Sequence, residues 1–154
     1  MNGVTKLTTA EGITLITFGK IPADPRFVSD ILSMVSAEGI NIDMISLTDT
    51  QSGYNSLSFT VDDECFGSVL GVTARIKEKY PSVKPLVSSG NVKLSLFGEE
   101  MRTQPGVAST AIAAVAGAGA DIRLITTSEV DISLLIAEPS TADAVSVLHD
   151  TFSL

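Results

Sequence analysis

The chain can be laid on itself. With Gly19 on Gly98 and Pro25 on Pro105, at the cost of one residue of loop, Ser29 falls on Ser109, Val35 on Val115, Gly39 on Gly119, Ile42 on Ile122, Ile45 on Ile125 and Thr48 on Ser128. A second slip, where QSGYN lengthens a hairpin in the first copy, brings Leu57, Phe59 and Val61 onto Ile132, Leu134 and Ile136. The matches occupy the same structural positions in both copies, so two homologous units are read, and any fold proposed for one must serve the other.

The later copy is the plainer. In QPGVASTAIAAVAGAGADIRLITTSEVDISLLI, Pro105 suits a first helical turn, where a missing N–H costs nothing, and Gly106 lets the backbone come close to something. A helix through Val107, Ala111, Ala114 and Val115 stops at Gly117 and Gly119. Strands follow at Ile122–Ile125 and at Ile132, Leu134 and Ile136, which alternate with Asp131 and Ser133. VKLSLF, with Val92, Leu94 and Leu96 facing a core, precedes this pattern. A helix presenting Ala144, Val145, Leu148 and Phe152 follows it, with Ser140 and Asp143 spaced as a capping box.

The earlier copy begins with a strand at Ile13–Phe18 and the loop GKIPADP. A helix from about Arg26 to Glu38 turns Phe27, Ile31, Met34 and Val35 inward and ends at Gly39. Strands NIDMISL and SLSFTV join around Ser52-Gly53. Asp62 and Asp63 are expected to cap a second helix whose inward face is Phe66, Val69, Leu70, Thr73 and Ile76. Gly67 and Gly71 weaken that helix by about 1 kcal/mol each relative to alanine and, four apart, would let another helix approach. A short strand near Val83–Val87 closes the copy, confined by Pro85 to an edge or an end.

The order β-α-β-β-α-β is ferredoxin-like and the fold class is α+β. The later copy lacks a fourth strand, while VTKLTT, Val4 to Thr9, is a segment the earlier copy does not need. Because an unpaired sheet edge is a liability, the N-terminal segment is expected to cross over and fill it. The expected organisation is a first domain at 13–89 inserted in a second made of 1–12 plus 90–154.

A length of 154 residues suits one ordinary domain or two very small ones. No apolar run approaches a membrane span and no secretion signal opens the chain, so neither membrane insertion nor secretion is indicated and a cytoplasmic location is expected. The net charge of −8 and ten scattered Lys and Arg residues disfavour nucleic acid. One histidine, His149, and one cysteine, Cys65, leave no metal set; Cys65 reads as a small core residue and His149 as a structural or surface residue. GAGAD at Gly117–Asp121 ends a helix and precedes a strand, the reverse of a nucleotide-binding turn. No catalytic dyad and no cofactor is read.

Three stretches carry a family likeness: PGVAST followed by ADIRLITTSEVDISLLI, the ending AVSVLHDTFSL with His149, Phe152 and Leu154, and GINIDMISL with SLSFTV in the earlier copy. Over nearly its whole length the chain resembles the regulatory region of aspartokinases, a tandem pair of amino-acid-binding ACT domains, the first placed inside the second. The glycine-rich, lysine-containing nucleotide loop of the kinase domain has no counterpart in these residues, so no enzyme is expected.

The resemblance implies that the loop before the first helix of each unit, with the start of the following strand, contacts an amino-acid effector between ACT units. The corresponding positions are Asp24, Pro25, Arg26, Asn41, Ile42 and Asp43 in the first unit, and Gln104, Pro105, Gly106, Val107, Asp121 and Ile122 in the second. Ser128 and Glu129 are expected at a turn or a subunit contact. Helix-start N–H groups suit the ligand's carboxylate, and an Asp, Asn or carbonyl suits its ammonium. Arg26 departs from the family, which has glycine after the loop proline.

The expected function is a non-catalytic sensor of lysine or threonine, assembled as a symmetric dimer. The alternative is a small regulatory subunit that joins a separate kinase catalytic chain. A scaffold with both pockets lost is the third reading.

Overall fold

The computed structural model describes residues 3–154; Met1 and Asn2, part of the N-terminal segment assigned to the second domain, lie outside the described residues. The strands are β1 (Lys6–Pro22), β2 (Ile45–Asp49), β3 (Tyr54–Asp62), β4 (Lys84–Phe97), β5 (Ile122–Thr127) and β6 (Asp131–Ala137). The helices are α1 (Pro25–Ala37), α2 (Phe66–Lys79), α3 (Val107–Gly117) and α4 (Thr141–Phe152). Contacts divide the chain into two compact units, Gly12–Ser89 and the residues up to Glu11 with Gly90–Leu154. Both long strands, β1 and β4, contribute to both units.

In the Gly12–Ser89 unit the strand order is β2-β3-β1-β4. The β1/β3 and β2/β3 pairs are antiparallel, with Phe18 opposite Leu57 and Ile45 opposite Phe59. Ile16, Phe18, Leu57 and Phe59 meet Ile31 and Val35 of α1 and Val72 and Ile76 of α2 in one core, with the Phe18 and Phe59 rings 6.0 Å apart. Fully burying a side chain of this size stabilises the fold by about 1.5–3 kcal/mol. β4 stands at the end of this order, with Pro85 as its second residue.

Several sequence expectations are corrected here. Asp62 and Asp63 do not cap α2: a 3-10 turn at Asp63–Cys65 precedes the helix, neither this turn nor α2 has a side-chain cap, and the Thr14 hydroxyl donates to Asp63 Oδ1 at 2.6 Å. The buried face of α2 is Val69, Val72, Thr73 and Ile76, whereas Leu70, about 100° around the helix from Val69, is 46% exposed. Nothing lies within 4 Å of a methyl group built on Gly67 or Gly71, so no helix approaches there. The second strand begins at Ile45 rather than Asn41. The Thr60 hydroxyl takes the Met44 N–H at 2.9 Å, which holds the chain out of the regular ladder up to that point. Cys65 is half-buried against the core.

In the other unit the order is β1-β4-β6-β5, with the Thr5 N–H donating to the Phe97 carbonyl at 2.8 Å. The β4/β6 and β5/β6 pairs are antiparallel, with Leu94 opposite Leu134 and Ile125 opposite Leu134 on either side. Leu94, Leu96 and Leu134 pack with Ala111 and Val115 of α3, Leu148 and Phe152 of α4, and Val4. β6 does not alternate between core and solvent: Ser133 and Leu135, on the opposite face, are also buried, and the Ser133 hydroxyl is satisfied by Asp131 at 2.8 Å.

No capping box forms at α4. Ser140 is the last residue of a 3-10 turn at Glu138–Ser140 and has right-handed helical backbone, and its side chain makes no cap bond. α1 and α3 each end two residues before a left-handed glycine, Gly39 and Gly119. Among the described residues no helix is long and apolar enough to cross a membrane. His149 Nδ1 lies 3.3 Å from the Leu154 carbonyl oxygen, tying the last helix to the chain end.

Candidate functional site

In the unit containing Gly90–Leu154, the chain leaves β4 at Gly98, makes a 3-10 turn at Glu99–Arg102 and reaches α3 through Gln104, Pro105 and Gly106. Pro105 lies in the turn before the helix rather than in its first turn. Gly106 is the residue before the helix, with φ of +90°, a conformation that L side chains rarely adopt. Its carbonyl accepts the first helical N–H, from Thr110 at 3.0 Å, and the Ser109 hydroxyl at 3.0 Å. The N–H groups of Val107, Ala108 and Ser109 therefore have no intrahelical acceptor, and among the described residues no side chain caps them.

This helix start borders a cavity of about 520 Å³ lined by Met101, Arg102, Gln104, Gly106, Val107, Ala108, Thr127, Ser128, Glu129 and Ile132. The Arg102 guanidinium donates to Glu129 Oε2 at 2.9 Å and to Glu99 Oε2 at 3.3 Å. Ser128 N donates to the Asp131 carbonyl at 2.8 Å, closing the β5/β6 hairpin that forms the far wall. One wall thus offers a helix start and a guanidinium, the other a carboxylate and a hydroxyl, with Val107 and Ile132 as apolar lining. That combination matches the charges of an α-amino acid: donors for its carboxylate, an acceptor for its ammonium, and an apolar floor.

Of the sequence-derived residues, Gln104, Gly106 and Val107 meet Ser128 and Glu129 here. Asp121 and Ile122 do not join them, because they follow the other end of α3, about 16 Å along an 11-residue helix. Asp121 pairs instead with Arg123 at 3.4 Å. Met101, Arg102, Ala108, Thr127 and Ile132 were missed from sequence. The charged loop EEMR was the available signal, but its meeting with Glu129, 27 residues on, is a product of the fold.

The Gly12–Ser89 unit divides its candidates between two sides of α1. Pro25, Asn41 and Ile42 line a shallow groove of about 630 Å³ along Val28, Leu32 and Ser36. Asp24 and Arg26 line a depression of about 190 Å³ with Phe27 and Tyr80. Asp43 belongs to neither, and its backbone N–H donates to the Thr60 carbonyl at 3.1 Å.

Asp24 is the residue before α1 and Pro25 its first helical residue. Asp24 Oδ1 accepts the Arg26 N–H at 3.0 Å, and the Arg26 guanidinium reaches back to Asp24 Oδ2 at 2.7 Å. The guanidinium bonds, and then the backbone N–H, hold the Asp24 carboxyl below the usual carboxylate range, and Asp24 in turn raises Arg26. Nearby, Asp30 accepts Lys79 at 2.7 Å and the Tyr80 hydroxyl; Lys79 first and Tyr80 second push its carboxyl down, while Asp30 raises both partners.

Residues 94–152 match the family model of the ACT domain. The chain is 31% identical over 141 residues to the aspartokinase of Mycolicibacterium smegmatis and 30% identical over 142 residues to that of Geobacillus stearothermophilus. Over nearly its whole length the chain is thus similar to the ACT-domain regulatory regions of aspartokinases. These alignments cover 90% and 92% of the chain but 34% of each relative, so the chain spans about a third of the length of the curated relatives it matches.

The similarity lies in the regulatory part of aspartokinase and not in its kinase part. Among solved structures, a chain of aspartokinase alpha and beta subunits superposes with a TM-score of 0.88 at 28% identity, covering 98% of this chain and 99% of that one. The ligand-free regulatory subunit of aspartate kinase from Thermus thermophilus has the same fold, with a TM-score of 0.88 at 24% identity. The ACT domain's α+β, ferredoxin-like arrangement is the one described above for each unit.

Proposed function

We propose that this chain is a non-catalytic, amino-acid-binding regulatory protein of the aspartokinase ACT class, with lysine or threonine as its effector. The observation that carries the reading is the cavity of about 520 Å³ at the start of α3, whose lining brings the uncapped helix start together with the Arg102–Glu129 pair and Ser128. In this reading the effector's carboxylate lies at the helix start and its ammonium at Glu129, displacing part of the Arg102–Glu129 pair. The two ACT domains are residues 13–89 and the remainder, the first inserted in the second. The protein works in the cytoplasm as a dimer, in which a second chain can bring its own Asp121 and Ile122 to the cavity.

Thermal unfolding across the twenty amino acids tests this. A ligand that binds only the folded state adds about 2.7 kcal/mol at a hundred times its Kd. A rise in Tm with lysine or threonine is expected, and no rise with any amino acid overturns the reading.

A second reading is a small subunit that assembles with a separate kinase chain. It is favoured by the nearly end-to-end match to a chain of aspartokinase alpha and beta subunits. Co-expression with a catalytic aspartokinase chain, followed by size-exclusion chromatography, separates the two: co-elution supports the subunit.

A further inference from the structure

We infer that the start of α1 is closed by its own residues and that Arg26 is the clasp, so that each chain takes up one amino acid, in the α3 cavity, and none at the equivalent place in the Gly12–Ser89 unit. The inference rests on the effector reading above and adds which of two homologous places is vacant. An amino acid docking at a helix start needs two things, free N–H groups for its carboxylate and a free acceptor for its ammonium.

At α1 the first donor does not exist, because Pro25 has no N–H. The second, Arg26 N–H, is bonded to Asp24 Oδ1 at 3.0 Å, and the third, Phe27 N–H, to the Asp24 carbonyl at 3.0 Å. The acceptor is also taken. Asp24 receives Nε of Arg26 at 3.2 and 3.1 Å on its two oxygens and Nη2 at 2.7 Å, in the position a ligand's cation would occupy. The remaining edge of the guanidinium is no substitute pocket, since the Arg26 side chain is 90% exposed and the depression beside it holds only about 190 Å³.

The aligned residue in the other copy is Gly106, which has no side chain to fold back and whose left-handed backbone opens a helix start that no side chain caps. The clasp is therefore a feature of one copy only. Its pairing is local, between residues two apart, and does not depend on tertiary packing.

Two measurements on the full chain test this. Carbon-detected carboxyl titration by NMR should place Asp24 below the ordinary 3.8, and Arg26→Gln should move its midpoint up toward that value. An unchanged midpoint overturns the clasp. Amide shift mapping with L-lysine and L-threonine should show movement at Gly106–Ala108 and Thr127–Glu129 and none at Arg26–Val28. Movement at Arg26–Val28 overturns the inference. Silence at both places counts against the effector reading alone, and the carboxyl titration then still judges the clasp.

Discussion

At the start of α1 Asp24 and Arg26 use up each other's hydrogen-bonding groups and Pro25 has no N–H to offer, whereas at the start of α3 Gly106 leaves the helix start uncapped beside a cavity. The two places descend from the same repeat, with Pro25 aligned on Pro105 and Arg26 on Gly106. The helices nevertheless begin at different points of the alignment: α1 at the proline, α3 two residues after it. One substitution at the residue after the proline changes both the backbone that can be adopted and the charge that is present. The copies keep a common core and differ where a ligand would touch them.

The largest expected break of this comparison comes from the glycine that opens each loop. A methyl group on Gly98 would lie 1.7 Å from the Gly3 carbonyl oxygen, while one on the aligned Gly19 would meet Lys84 at an ordinary 3.7 Å. Gly98→Ala should expel the N-terminal arm, losing the burial of Val4 and the Thr5–Phe97 bond, about 4 kcal/mol in urea unfolding. Gly19→Ala should stay within about 0.5 kcal/mol. Equal effects would mean that the arm contributes nothing.

The helices offer the next contrast, because fully buried Ile31 of α1 aligns with fully buried Ala111 of α3. Ile31→Ala should cost about 3 kcal/mol by leaving a cavity, and Ala111→Ile about 2 kcal/mol by overpacking. If Ala111→Ile is neutral in urea unfolding, α3 has room that the close packing described above denies.

Gly106→Val should lower stability by about 1–2 kcal/mol, since φ of +90° is strained for a β-branched residue, and should also obstruct the cavity. Gly106→Asn should be milder in folding. A Gly106→Val chain with full stability would show that α3 can start in another conformation.

The smallest expected effect is acid sensitivity. Asp24 and Asp30, both in the Gly12–Ser89 unit, have folded-state pKa values below their ordinary ones. Between the folded value and 3.8 the unfolded chain binds more protons at these groups, so their stabilisation is present above 3.8 and is lost as pH falls through the folded values. Hydrogen exchange on acidification should show earlier loss of protection at α1 in the native chain than in Asp24→Asn, whose side chain can still accept the helix-start N–H. The same profile in both would remove Asp24 from the account.

Helix ends, apolar strand faces and the repeat itself were legible in the sequence, because Gly39 and Gly119 and the alternating apolar residues act locally. The continuity of β1 and β4 was not. Val4–Thr9 and Ile13–Phe18, like Val83–Val87 and VKLSLF, read as separate segments, yet Gly12 and Gly90 occupy single left-handed positions within otherwise unbroken strands. Leu70 was misplaced because helical spacing fits both it and Val72, and only packing against the sheet decides between them. At the candidate site, Gln104, Gly106 and Val107 came from the loop pattern and the family likeness. Arg102 and Glu129 could not be paired without the hairpin that brings them together.

The hydrogen bond between Thr5 and Phe97 spans 92 residues of chain. During synthesis at about 5–20 residues per second, Val4 and Thr5 would emerge roughly 5–20 s before the strand they dock on. Gly12–Ser89, complete by then, is free to fold in the interval, before Val4 and Thr5 have a strand to dock on.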